Sequence, residues 1–183
     1  MVLKMRYEDY PFPFFGSEKK EILAESDYYF RKMGIEKGKH IVDFGCGPGV
    51  FTIPIARFIG KEGIVYAVDK NEGYLKDLEQ MAKEEELENI RILKVEDEGN
   101  IPLPSASVDI FLLFDVLHHL NWGKIFPEVK RIIKREGKIC VYPHHHLDRE
   151  QLEEALKPYG LRLKEKLKNI IFIFLVDEKV KGS

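Results

Sequence analysis

Residues 41–51, IVDFGCGPGVF, set four mostly apolar positions directly before three glycines and a proline. An apolar turn resumes at once on the far side. Glycines permit positive φ and let a ligand touch the main chain, and a helix that follows such a loop offers N–H groups with no intrahelical partner. The chemistry implied is capture of a small polar molecule by bare backbone at the end of a buried strand. Dinucleotide enzymes use a turn of this kind too, so three further features matter. The spacing is Gly45-x-Gly47-x-Gly49, with Val50 where the dinucleotide fingerprint wants its third glycine. Asp69 ends the next apolar stretch, about twenty residues on, where a carboxylate can accept both hydroxyls of a ribose. Asp97 follows the third stretch, in place to accept a hydrogen bond from an adenine amino group.

Each of these residues has a plainer reading. Asp43 is as well suited to cap the turn through neighbouring N–H groups. Asp69 at a strand end also suits a helix N-cap. Glu96, Asp97 and Glu98 form an acidic cluster that would ordinarily be solvated, and Cys46 in the loop is a small filler. A reactive thiol there would need a positive partner.

Two groups of histidines stand where other strands should end: His118 and His119, then His144, His145 and His146. Histidine titrates near neutral pH and suits a base or a substrate contact. His119 and His144 are the candidate catalytic residues. Three adjacent histidines suggest metal, but successive residues in extended chain point to opposite sides. No acidic or cysteine partner stands at ligand spacing, so no metal site is expected.

The elements that must position these residues alternate between strand and helix. Ser17 reads as the N-cap of a first helix with Ile22, Leu23, Tyr29, Phe30 and Met33 on one face and Gly34 as its stop. Strands are predicted at residues 40–44, 64–68, 90–95, 108–114 and 138–142. Helices are predicted at residues 50–59, 74–86 and around Ile125 to Ile133. Pro54 removes one hydrogen bond near the start of the first of these. Asp148 with Gln151 resembles a capping box opening a last helix. LRLKEKL, residues 161–167, alternates apolar and charged, whereas IIFIFLV, residues 170–176, does not. A two-residue turn makes them an antiparallel hairpin. The continuous run belongs inside the sheet, and the lysine-bearing strand belongs at its edge. The fold expected is α/β: a doubly wound, seven-stranded sheet of order 3-2-1-4-5-7-6 with only strand 7 antiparallel. Its strand order reverses between strands 1 and 4, where the glycine loop leaves the sheet and where open parallel sheets bind ligands.

The chain has 183 residues and suits one domain: an N-terminal arm and helix over residues 1–37 and a Rossmann-like core over 38–183. With 29 basic and 31 acidic residues interspersed, the charge gives no case for nucleic acid. No apolar run approaches the roughly 20 residues that span a bilayer, and no signal peptide is evident, so neither membrane nor export is expected. Cys46 and Cys140 lie in apolar stretches without zinc spacing and read as reduced residues of a cytoplasmic protein.

DFGCGPG, VYAVDKN, VEDEGNIPLPSASVDIFLLFDVLHHL and the terminal hairpin together resemble a class I S-adenosylmethionine-dependent methyltransferase. The resemblance runs from about Gly38 to Val176. It implies that the Gly45–Gly49 loop, with Cys46 in it and Asp43 beneath it, holds the methionine portion of S-adenosylmethionine. It implies Asp69 on the ribose, Lys70 beside the adenine, and Asp97 with Glu98 at the adenine amino group. Phe114 and Asp115 would line the methionine side through backbone groups. His118 then reads as a positional feature of the family, bonding the sheet or cofactor backbone, and His119 stays open. The PHHH segment at 143–146 departs from the acidic or small residues more usual there, which makes it the place to look for substrate individuality.

Methyl transfer from a sulfonium is an in-line displacement, in which alignment alone supplies roughly 7–11 kcal/mol. An obvious catalytic base is therefore not required. A small-molecule methyl acceptor is expected. The aromatic arm, with Tyr7, Tyr10, Phe12, Phe14 and Phe15, serves either as its lid or as packing on the sheet. Alternatively a second subunit completes an open site, so a homodimer is among the expectations. The rival functions are an inert cofactor-binding or partner subunit and, further off, a nicotinamide-dependent oxidoreductase.

Overall fold

A computed structural model describes residues 16–144 and 147–177. The aromatic arm, His145 and His146 lie outside the described residues. Strands β1 (His40–Phe44), β2 (Ile64–Asp69), β3 (Ile90–Lys94), β4 (Val108–Phe114), β5 (Ile133–Tyr142), β6 (Leu161–Leu167) and β7 (Ile171–Val176) form one sheet of order β3-β2-β1-β4-β5-β7-β6. β1 to β5 pair in parallel, and β7 runs antiparallel between β5 and β6, as the hairpin pattern requires.

The two faces explain why the central strands read as unbroken apolar runs. Neighbours along a strand point to opposite faces. Val42, Phe111, Val141 and Phe172 pack on one side against α5 (Trp122–Ile132) and α6 (Leu152–Leu156). Ile41, Leu112, Cys140 and Ile173 pack on the other against α1 (Ser17–Ala24), α2 (Ser26–Met33) and α3 (Thr52–Ile59). Both sets are apolar because both faces are covered. α4 (Glu72–Glu84) packs Leu75, Leu78 and Ala82 beside α3 and Ala67 of β2.

Several local expectations are corrected. The first helix is two, broken at Glu25, and its N-cap is Gly16 rather than Ser17, with no side-chain capping bond. Lys168 of the β6–β7 turn bonds Glu21 and Glu25, one before and one at the break. α3 starts at Thr52 rather than Val50, and Pro54 in its first turn does remove one bond: Ile53 donates to the Gly49 carbonyl and Ile55 to the Phe51 carbonyl, with Pro54 between them donating nothing. Asp148 accepts from the N–H groups of Glu150 and Gln151, forming a turn ahead of α6 rather than a capping box on it. β5 begins five residues earlier than periodicity suggests (Ile133 against Lys138), with a register irregularity opposite Val108 and Ile110. Arg135 and Glu136 there are exposed, which hides the strand from a pattern search.

The connection from β3 to β4 has no regular structure and is held by α5. Arg131 donates to the carbonyls of Leu103 and Ile101 at 2.7 and 2.9 Å, and Glu128 accepts from the Ile101 N–H at 3.0 Å. Among the described residues no helix is long and apolar enough to cross a membrane.

Candidate functional site

The glycine loop leaves β1 through a sharp turn. Gly45, Gly47 and Gly49 all have positive φ, at +74°, +54° and +96°. A Cβ at Gly45 would lie 2.5 Å from Val116 Cγ2, and one at Gly49 would lie 2.4 Å from Leu78 Cδ1. Those two glycines are demanded by the protein itself. Gly47 is different: nothing lies within 4 Å of where its Cβ would stand. Its bare face is turned to open space, as a ligand-binding position requires.

Asp69 braces this loop. Its Oδ2 accepts from the Gly47 N–H at 2.9 Å and its Oδ1 from the Asn71 N–H at 2.8 Å. The cap of α4 is Asn71, whose side chain accepts from Gly73 and Tyr74, so capping is not the task of Asp69. A cleft of about 390 Å³ opens over these groups, lined by Gly45, Gly47, Asp69, Lys70, Tyr74, Glu98, Asp115, Val116 and His119, among others. That is within the ordinary range for small-molecule sites, roughly 300–1,000 Å³.

Five of the expected ligand residues stand outside that lining: Asp43, Cys46, Gly49, Asp97 and Phe114. Asp97 is exposed and turned away, its Oδ1 accepting from the Gly99 N–H at 3.0 Å and from Lys124 Nζ at 3.2 Å. Both contacts hold its carboxyl below the usual range, the Gly99 amide foremost. Glu98 lines the cleft instead, with Oε1 accepting from the Asn121 N–H. Asp43 is buried beneath the loop, and its Oδ2 accepts from the Thr52 hydroxyl at 2.6 Å. Phe114 is buried between Phe51 and Tyr142, at 4.9 and 6.1 Å between ring centres, so only its backbone can serve the site. Cys46 is buried too, and desolvation pushes its thiol well above the normal range, in keeping with a filler.

Burial also raises the Asp43 carboxyl to about 6, against the lowering effect of the Thr52 bond. An acid raised in the folded state binds its proton more tightly there than in the unfolded chain. Its contribution to stability is therefore full below pH 4 and is lost as pH rises through 6. Two pKa units correspond to about 3 kcal/mol. Asp43→Asn should thus gain on the parent by roughly that amount between pH 4 and pH 7, measured as the pH dependence of the difference in urea-unfolding free energy. A pH-independent difference would show that Asp43 titrates normally.

A second cleft, of about 540 Å³, is lined by Gly16, Ser17, Glu18, Lys19, Asp115, Tyr142, His144 and Arg149. Asp115 borders both clefts. It takes φ +57° directly after β4, and its N–H donates to the Tyr142 carbonyl at 2.8 Å, locking the ends of β4 and β5 together. Its carboxylate pairs with Lys19 at 2.5 Å, and His144 Nε2 stands 3.9 Å from Oδ1. Arg149 clamps Glu18 at 2.8 and 2.6 Å and donates to the Asn169 carbonyl, fixing α1 over this cleft. The guanidinium holds the Glu18 carboxyl low. Burial, then Glu18, hold the Tyr142 phenol protonated. Of the candidate catalytic residues, His119 faces the first cleft and His144 the second. His118, which the sequence assigns a positional role, lies between them with its ring 3.8 Å from His119 and 4.2 Å from His144.

Residues 42–141, more than half of the chain, match the family described as Methyltransferase domain. The demethylmenaquinone methyltransferase of Geobacillus sp. (strain WCH70) is 30% identical over 110 residues, covering 60% of this chain and 47% of that protein. The enzyme of the same name from Geobacillus stearothermophilus is 32% identical over 116 residues, covering 61% and 48%. The chain spans about half the length of the curated relatives it matches. A crystal structure of a SAM dependent methyltransferase from Aquifex aeolicus superposes with a TM-score of 0.70 at 22% identity, covering 82% of this chain and 87% of that one. The family match is to methyltransferase domains and lends the nicotinamide alternative no support. This chain belongs to the S-adenosylmethionine-dependent methyltransferase domains.

Proposed function

We propose that the protein transfers a methyl group from S-adenosylmethionine, bound in the first cleft, to a small acceptor in the second. The observation that carries this reading is the sharing of Asp115 by two adjoining clefts, one walled by bare glycine backbone and the other by charged side chains. The residues fit the donor. Gly47 offers an unobstructed backbone, Asp69 an acceptor pair at ribose spacing from the loop, and Tyr74 and Lys70 a partly apolar wall for an adenine. Glu98 takes the place at the adenine amino group that the sequence divides between Asp97 and Glu98. When bound, S-adenosylmethionine supplies an electrophilic methyl group on a sulfonium.

The chain's own work is then to align, to exclude water and to manage a proton. Asp115 and His144 face the acceptor and can take a proton from its reacting hydroxyl or amine. Lys19 holds the Asp115 carboxylate in place. His119 stands over the cofactor side. The relatives named as demethylmenaquinone methyltransferases make a reduced quinone ring the first acceptor to test. The polar lining of the second cleft suits the oxygens of such a ring better than a long apolar tail.

Incubation with methyl-labelled S-adenosylmethionine and a panel of short-chain hydroquinones and polar metabolites tests the proposal. A labelled product, reduced at least about 100-fold in Asp115→Ala, is the expected result, in line with the usual contribution of a proton-handling group. Failure to label any acceptor, with cofactor binding intact, would favour the inert partner-subunit reading.

A further inference from the structure

The sequence gives no acidic residue at ligand spacing from the histidines, but the fold does. β4 and β5 are parallel neighbours, with Phe114 opposite Tyr142. The residues just beyond them, Asp115 and His144, therefore emerge side by side. The positive φ of Asp115 turns the chain directly into a 3-10 turn, Leu117–His119, which brings His118 back over the same point. One carboxylate oxygen of Asp115 and one ring nitrogen each from His118 and His144 lie within 4.8 Å of one another. All three side chains are partly buried. Donor atoms around a common ion at about 2.0–2.2 Å stand roughly 3–4.4 Å apart, so small side-chain rotations close the set.

We propose that Asp115, His118 and His144 form a binding site for one divalent transition-metal ion. Two imidazoles and a carboxylate select a borderline ion such as Zn²⁺, Fe²⁺ or Co²⁺, and disfavour Mg²⁺ and Ca²⁺, which take all-oxygen sets. Three protein ligands leave coordination positions open, the arrangement of sites that act on a bound molecule rather than brace a fold. Those positions face the meeting point of the two clefts, where Asp115 borders both. Resting on the methyltransferase reading, this makes the ion the holder of an acceptor oxygen: it lowers the pKa of the bound hydroxyl so that the proton passes to solvent. In the ion-loaded protein Asp115 and His144 act as ligands in place of the proton-taking role given above. Lys19 supplies the rival cation: its ammonium sits on Asp115 Oδ2, so the ion and Lys19 compete for one carboxylate.

Metal-free protein titrated calorimetrically with Zn²⁺, and with Co²⁺ followed by its visible absorption, tests the site without any turnover. The expected result is one ion per chain, with affinity falling about 100-fold or more in His144→Ala and in Asp115→Asn. Lys19→Gln should raise it, by about tenfold, as changes beside a ligand commonly do. Acetohydroxamate, a bidentate oxygen donor, should shift the Co²⁺ bands by entering the open positions. His144 lies past the end of β5 and its removal leaves the core intact, so that variant decides even where His118→Ala fails to fold. Absence of stoichiometric binding, or equal affinity in the parent and His144→Ala, would overturn the site. S-adenosylmethionine binding measured on the same samples separates the two readings. Metal binding without cofactor binding sinks the methyltransferase reading alone, and the reverse sinks the metal site alone.

Discussion

Asp69→Ala should lose about 100-fold in affinity for S-adenosylmethionine while its melting temperature falls by only a few degrees. The carboxylate lies at the rim of the first cleft, where both oxygens already hold backbone N–H groups. Hydrogen bonds to a charged group contribute about 1.5–3 kcal/mol each, so loss of the ribose contact together with the brace on Gly47 gives a change of that size. The fold depends on it little, because Asn71 and not Asp69 caps α4. A loss of about 1 kcal/mol shifts the midpoint of a chain this long by roughly 2–4 °C. Asp69→Asn should fall between the two proteins, since an amide keeps one acceptor oxygen but turns its NH₂ toward one of the two N–H donors. Calorimetric titration and thermal unfolding read the two quantities separately. Cofactor affinity equal to that of the parent would show that the ribose is held elsewhere.

The second large effect divides the glycines by what surrounds them. Gly45→Ala is expected to cost about 2–5 kcal/mol of stability. About 1–2 kcal/mol comes from placing a side chain at left-handed φ, and about 1–3 from driving the new methyl into Val116. Val116 lines the first cleft, so its displacement narrows the site, and cofactor binding should be lost with the stability. Gly47→Ala carries only the conformational term, because its surroundings are open. It should remain folded, unfolding within about 2 kcal/mol of the parent, yet bind S-adenosylmethionine at least tenfold more weakly as its methyl enters the ligand's space. Equal urea midpoints for the two variants would refute this division.

How much of this was visible in the residue order depends on the range of the forces involved. The hairpin and its insertion between β5 and the edge were legible, because alternation in residues 161–167 and its absence in 170–176 report directly on one covered face or two. The glycine loop was legible for a similar reason: a backbone conformation closed to other residues leaves a compositional mark. What sequence could not supply was side-chain direction. Asp97 was as well spaced as Glu98, yet Gly99 and Lys124 draw it outward while Asn121 holds Glu98 at the cleft. The break at Glu25 leaves no mark in the pattern, because the apolar face continues across it from Ile22 to Tyr29. The meeting of Asp115, His118 and His144 needs both the sheet order and one positive φ at a non-glycine residue. The order could be inferred, but nothing in the composition marks the φ.

The irregular wall between β3 and β4 carries a last consequence. It has no ladder or helix of its own, and its rigidity is borrowed from α5 through Arg131, Glu128 and the Asn121 amide. The place expected for the adenine therefore has no independent stability: when α5 loosens, that side of the site loosens with it. Arg131 and Glu128 line neither cleft, yet the firmness of the wall behind the nucleoside end rests on their bonds.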